Sequence, residues 1–171
     1  MATTFTKQVL QDSNRHAIIK FVGNTDTNVT STLLLDAGSL AYAMNVNNHI
    51  MTSGTDRRPK YGITIKRIFG QGQFKSGGHM LLTWQDASNS AIVTIGNGSF
   101  DYNLDLQGSI GVIGFANTDP KANCTGNVRV STVDVALGDS VTLFVSVKKE
   151  GSDYDQGQTR DPAAFNAAGI P

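Results

Sequence analysis

The chain has 171 residues, of which 39% are hydrophobic and 16% charged, and its fourteen basic and fourteen acidic side chains cancel. This length suits one domain that needs neither disulfide nor metal to close a core, and low charge tells against disorder, which pairs low hydrophobicity with high net charge. Zero net charge gives no reason to expect nucleic acid or an anionic membrane as a partner, and no stretch nears the roughly 18 apolar residues of a spanning helix.

Cys124 is the single cysteine, so no internal disulfide forms. That suits synthesis in a reducing cytoplasm, as does a start, Met1-Ala-Thr-Thr-Phe-Thr-Lys7, without the basic and apolar regions of a secretion signal.

Taken in order, residues 17–22 (Ala-Ile-Ile-Lys-Phe-Val) and 32–35 are apolar on both faces. Such runs suit central strands or strands at a subunit contact. Residues 37–45 suit a short helix. In 61–69 the pattern has period two, with Tyr61, Ile63 and Ile65 opposite Gly62, Thr64 and Lys66. The glycine-rich stretch 70–78 reads as a hairpin connection. It lacks the spacing of a phosphate loop and leads into a strand, with no helix N-terminus to hold an anion.

Residues 79–84 place Met80, Leu82 and Trp84 on one face, and 91–95 group Ala91, Val93 and Ile95. Turn residues separate these strands at 85–90 and again at Gly96-Asn-Gly98. Residues 110–115 are apolar on both faces, and a polar loop with Pro120 follows. Val128 and Val130 then alternate, while Val133 and Val135 have the opposite parity, the pattern of a β-bulge at Ser131-Thr132. Leu137-Gly-Asp-Ser140 reads as a hairpin turn. In the last strand Val141, Leu143, Val145 and Val147 face one way, and Thr142, Ser146 and Lys148 face the other.

These signals define an all-β fold, an antiparallel sandwich or barrel of about eight to ten short strands. The composition changes after Lys149, so the expected organisation is a sandwich domain over 1–149 and a polar arm or tail over 150–171. Within the arm, Asp161, Pro162 and Gly169 supply the cap, first turn and stop of a short helix.

Catalytic chemistry is hard to assemble from this chain. His16, His49 and His79 are far apart, Cys124 has no base beside it, and the pairs Asp101/Asp105 and Asp153/Asp155 lack the ligand density of a calcium loop. The expectation is a non-enzyme without metal, cofactor or small-molecule substrate. Charge is unevenly spread. Six basic residues and no acid lie between Arg57 and Gln85, whereas from Glu150 onward there are four acids and only Arg160. The basic stretch has too few interleaved aromatics for nucleic acid. Protein contact is the expected use, with Arg57, Arg58 and Lys60, with Phe144 on the polar face of the last strand, and with Phe165 in the arm.

The segment Thr6-Lys-Gln-Val-Leu-Gln-Asp-Ser-Asn-Arg-His-Ala-Ile-Ile-Lys-Phe-Val-Gly23 resembles the opening of a family of small virion structural proteins of tailed phages, of the marine and cyanophage type. Leu81-Leu-Thr-Trp-Gln-Asp-Ala is similar to that family's strand and turn, and Gly111-Val-Ile-Gly-Phe115 with 137–149 looks like its final hairpin. Residues 37–60 do not align, and the extension after Lys149 is unusual.

The resemblance implies a jelly-roll-like sandwich that decorates or cements the outer capsid. It would be a homotrimer, synthesised in the host cytoplasm and bound to the major capsid protein on the outer surface of the virion. Two other functions fit the same strands. One is a tail, neck or fibre-base component. The other is a carbohydrate-binding module stacking sugars on Trp84 or on surface tyrosines, although Trp84 shares its face with Met80 and Leu82.

Overall fold

The computed structural model describes residues 3–43, 61–75, 77–86, 88–103, 125–149 and 154, and the backbone of 115–116. Among these residues ten strands follow in chain order: β1 (Thr4–Asp12), β2 (His16–Thr25), β3 (Thr32–Leu35), β4 (Ile63–Gln73), β5 (His79–Trp84), β6 (Ala91–Ile95), β7 (Gly98–Asn103), β8 (Phe115–Ala116), β9 (Val128–Val133) and β10 (Asp139–Lys149). They form two antiparallel sheets. A six-stranded sheet runs β1-β2-β10-β4-β7, with β8 also on β4, and a four-stranded sheet runs β3-β9-β5-β6. The chain is therefore an all-β sandwich.

The pairing is nested. β2 pairs with β10, β3 with β9, β4 with β7, and β5 with β6, first with last and inward. Rolling that ribbon joins β10 to β4 in one sheet and β5 to β9 in the other. Only β1 and β8 stand outside these pairs.

Alternation supplies the core. Val141, Leu143, Val145 and Val147 on β10 are all buried, as their period-two spacing requires, and they join Ile19 and Phe21 of β2 and Ile65 and Ile68 of β4. From the other sheet come Leu35, Met80, Leu82, Trp84, Ile95, Val128 and Val130. Burying each such side chain contributes roughly 1.5–3 kcal/mol. Close approach is built in at Gly70, where a Cβ would stand 2.1 Å from the Thr142 carbonyl oxygen.

Several local expectations are corrected. β9 pairs with β5 in unbroken register from Val133 to Val128, so there is no bulge at Ser131-Thr132. Thr132 itself takes the inward position, because its amide donates to Val29 O and its hydroxyl accepts from Val29 N, both at 2.9 Å. Parity changes after the strand, at Asp134, whose φ of 53° turns the chain. The bulges fall elsewhere. Lys66 is the extra residue on β4 opposite Ser146/Val147, which lets Ile65 and Ile68 both reach the core. Ile92 is the extra residue on β6, so it is buried while Ala91 is exposed.

Neither 137–140 nor 70–78 is a hairpin connection. Each carries the chain from one sheet to the other, because β9 and β10 are not partners and neither are β4 and β5. Asp139 fixes the first crossing, its carboxylate accepting from Ala136 N at 2.9 Å and from Lys75 N at 3.0 Å. In place of a helix from residue 37, a single 3-10 turn spans Ala37–Ser39, capped by the Asp36 carboxylate on Gly38 N. Residues 44–45 and the helix expected at 161–169 lie outside the described residues. The core also continues past Lys149, since Tyr154 is fully buried within it.

Candidate interaction surface

The residues of the six-stranded sheet that do not enter the core form its outer face. Register sets a row across five strands there: Gln8 opposite Lys20, Lys20 opposite Phe144, Phe144 opposite Phe69, and Phe69 opposite Asp101. The rings of Phe69 and Phe144 stack with centroids 4.8 Å apart and planes 6° from parallel. Both side chains are half-buried. Cations flank the stack, with Lys20 Nζ 5.9 Å from the Phe144 ring and the Arg67 guanidinium 4.7 Å from the Phe69 ring. An offset aromatic pair adds about 0.5–1.5 kcal/mol beyond its area, and an exposed cation over a ring about 0.5–1 kcal/mol.

Arg67 closes the row. Its Nε donates to Asp101 Oδ1 at 2.9 Å and its terminal nitrogen to Oδ2 at 2.6 Å, a planar two-pronged pair. That hydrogen bonding holds the Asp101 carboxyl below its ordinary value and the Arg67 guanidinium above its own; desolvation opposes both shifts, and the attraction between the charges adds to them.

Of the expected contact residues, Phe144 lies where the alternation places it. The structure brings it together with Phe69, Arg67 and Lys20, a grouping that needs cross-strand register and is not written in local sequence. Arg57, Arg58, Lys60 and Phe165 lie outside the described residues. Farther along the basic stretch, Lys75 is engaged at the crossing turn, its amine donating to Leu137 O at 3.1 Å.

A second polar centre was not anticipated. Lys149 is fully buried at the end of β10, and its ammonium donates to Asp12 Oδ1, to Ser13 O at 2.7 Å and to Ala41 O at 2.7 Å. Asp12 Oδ2 accepts from Ala41 N at 2.8 Å, so both carboxylate oxygens are engaged. The Tyr154 and Tyr42 rings lie 5.1 Å and 5.8 Å from the amine, and the Tyr154 hydroxyl donates to Ala37 O at 2.7 Å. With three donors matched to three acceptors, this centre ties β1, the 37–43 segment, β10 and Tyr154 into one end of the sandwich.

Other chemistry-bearing residues are dispersed. Among the described residues no three His, Cys, Asp or Glu side chains converge as a metal site would need. His16 is exposed, and His49 and Cys124 lie outside the described residues. Trp84 is buried in the core and is not a surface platform. A cleft of about 530 Å³ lies among Thr4, Asn24, Asp26, Leu137 and Asp139, the last with its carboxylate already engaged. No protein-family model, curated protein or solved structure significantly matches this chain.

Proposed function

We propose that this chain is a non-enzymatic structural subunit of a tailed-phage virion, a decoration or cement protein that docks on the major capsid protein through the outer face of its six-stranded sheet. The observation that carries the reading is the Lys20–Phe144–Phe69–Arg67–Asp101 row. It presents stacked rings on the outer face of the sheet, held in place by their neighbours before any partner arrives. Of the charged residues described on this face, Lys20 and Lys148 exceed what Asp101 neutralises, because Asp101 is already paired with Arg67. A carboxylate-bearing protein surface is the matching partner.

Two further points support the reading. The nested strand pairing supports a jelly-roll reading of the sandwich, an architecture recurrent in viral capsid and lectin domains. The strands that resemble phage structural proteins include β1, β2, β5 and β10, of which β2, β5 and β10 belong to the nested pairs. Weak single contacts suffice for a subunit bound in many copies on a symmetric shell, since avidity multiplies them.

The test is where the protein sits in the particle. Labelled protein imaged on virions by electron cryo-microscopy is expected in many copies spread over the head. A few copies at the neck, tail or fibre base would move the assignment to a tail component, and absence from the particle would remove the virion reading altogether.

A further inference from the structure

We infer that β1 is a self-association edge, pairing antiparallel with β1 of a second copy of this chain across a two-fold axis at Thr6. β1 is the outermost strand of the six-stranded sheet and pairs only with β2. Among the described residues its other edge has no partner, and nearly every position along it is exposed. Yet the strand is fixed at both ends. At its start the Thr3 hydroxyl accepts from Asp26 N and Thr27 N at 3.0 and 3.1 Å, and Phe5 fills the space beside Gly23, where a Cβ would stand 2.6 Å from its ring. At its end Asp12 is held by Lys149 and Ala41 N. A strand ordered in this way offers its backbone edge without a further ordering cost.

The usual protections of an edge are sparse here. Prolines, short length, outward charges and bulges blunt edge strands. β1 is nine residues long and has no proline, and its one lysine, Lys7, bends to Ser39 Oγ at 3.2 Å. Its bulge lies at Leu10, leaving residues 4–9 regular. Val9 and Leu10 are 45% and 48% exposed, so apolar surface adjoins this edge.

Self-complementarity makes the occupant a second copy. A two-fold axis perpendicular to the sheet keeps outer side chains on the outer face, so it must pass through a residue position. Within the regular segment the central choices are Thr6 and Lys7. An axis at Lys7 sets two ammonium groups against each other. An axis at Thr6 places Thr4 opposite Gln8, Phe5 opposite Lys7, and Thr6 opposite itself, with no like charges facing and a favourable Thr–Thr pair. The contact is isologous, the patch that pairs being the same on both copies. It is a two-fold contact, distinct from the three-fold one that the phage resemblance implies.

Sedimentation velocity of the full chain over a concentration series up to millimolar tests this. The expected result is a monomer–dimer equilibrium, with the dimer weakened at least tenfold by Thr6→Lys and by Thr6→Glu alone, and recovered as a heterodimer when the two variants are mixed. Circular dichroism of each variant checks that the exposed substitution leaves the fold intact. A wild-type chain that stays monomeric or forms only trimers, a dimer indifferent to Thr6→Lys, or variants that do not recover on mixing would each overturn the inference.

Discussion

Two cation–carboxylate pairs on the same sheet serve different ends. Lys149 and Asp12 sit at the closed end of the sandwich, with the lysine wholly out of solvent and its ammonium matched to three acceptors. Arg67 and Asp101 lie on the outer face, each side chain nearly half exposed at 44% and 49%, with one carboxylate and one ring as company. Burial separates them. A buried ion must be satisfied inside the fold and stabilises only while every partner is present. An exposed pair contributes little to stability, so its placement beside a ring stack leaves it free to meet something else.

Substitutions at each site can break that contrast. Lys149→Met removes the charge that holds Asp12 and two backbone carbonyls, and should cost about 3–5 kcal/mol, read as a lower midpoint in urea unfolding. A loss below about 1 kcal/mol would mean the centre is not structural. Phe144→Ala removes half of the ring stack, and should cost about 0.5–1.5 kcal/mol beyond the area it exposes while leaving the cooperativity of unfolding unchanged.

The smallest effect belongs to Asp101→Asn, which should lower the unfolding midpoint at neutral pH only slightly, because the pair is exposed. Its signature is in pH. Because Arg67 lowers the folded-state pKa of Asp101, the pair's contribution is complete above the ordinary carboxylate value of about 3.9. It fades as pH falls through the lowered one. Carboxyl carbon shifts followed by NMR should show Asp101 titrating below exposed aspartates, and should return it toward them in Arg67→Gln.

The same contrast explains what the sequence could show. Alternation made β10 readable because it is paired on both sides from Ser140 to Lys148, with the one bulge on the partner strand, so nothing interrupts its period. Carried one step past Val147, the rule already places Lys149 inside; the residue's charge, and the compositional change after it, hid a signal that was present. Bulges hid others. Lys66 turns the two-residue period into the three-residue spacing of Ile65 and Ile68, and Ile92 enters the core where Ala91 was expected. The turns at 70–78 and 137–140 have hairpin chemistry but cross between sheets, since turn residues encode a reversal and not its destination. Phe144 was legible as an outward aromatic. Phe69, Arg67 and Lys20 became its neighbours only through register between strands far apart in the chain.

The central claim is that the outer row is an interaction surface, and for the proposed decoration role the direct measurement is binding of purified protein to phage capsids that lack it. A Phe69→Glu, Phe144→Glu variant places two carboxylates where the rings stack. The account predicts an affinity lower by about tenfold or more, equivalent to at least 1.4 kcal/mol, with the sandwich still folded by circular dichroism and Lys149→Met affecting stability but not the affinity of the folded fraction. Unchanged affinity in the double variant, with wild-type protein binding, would contradict it.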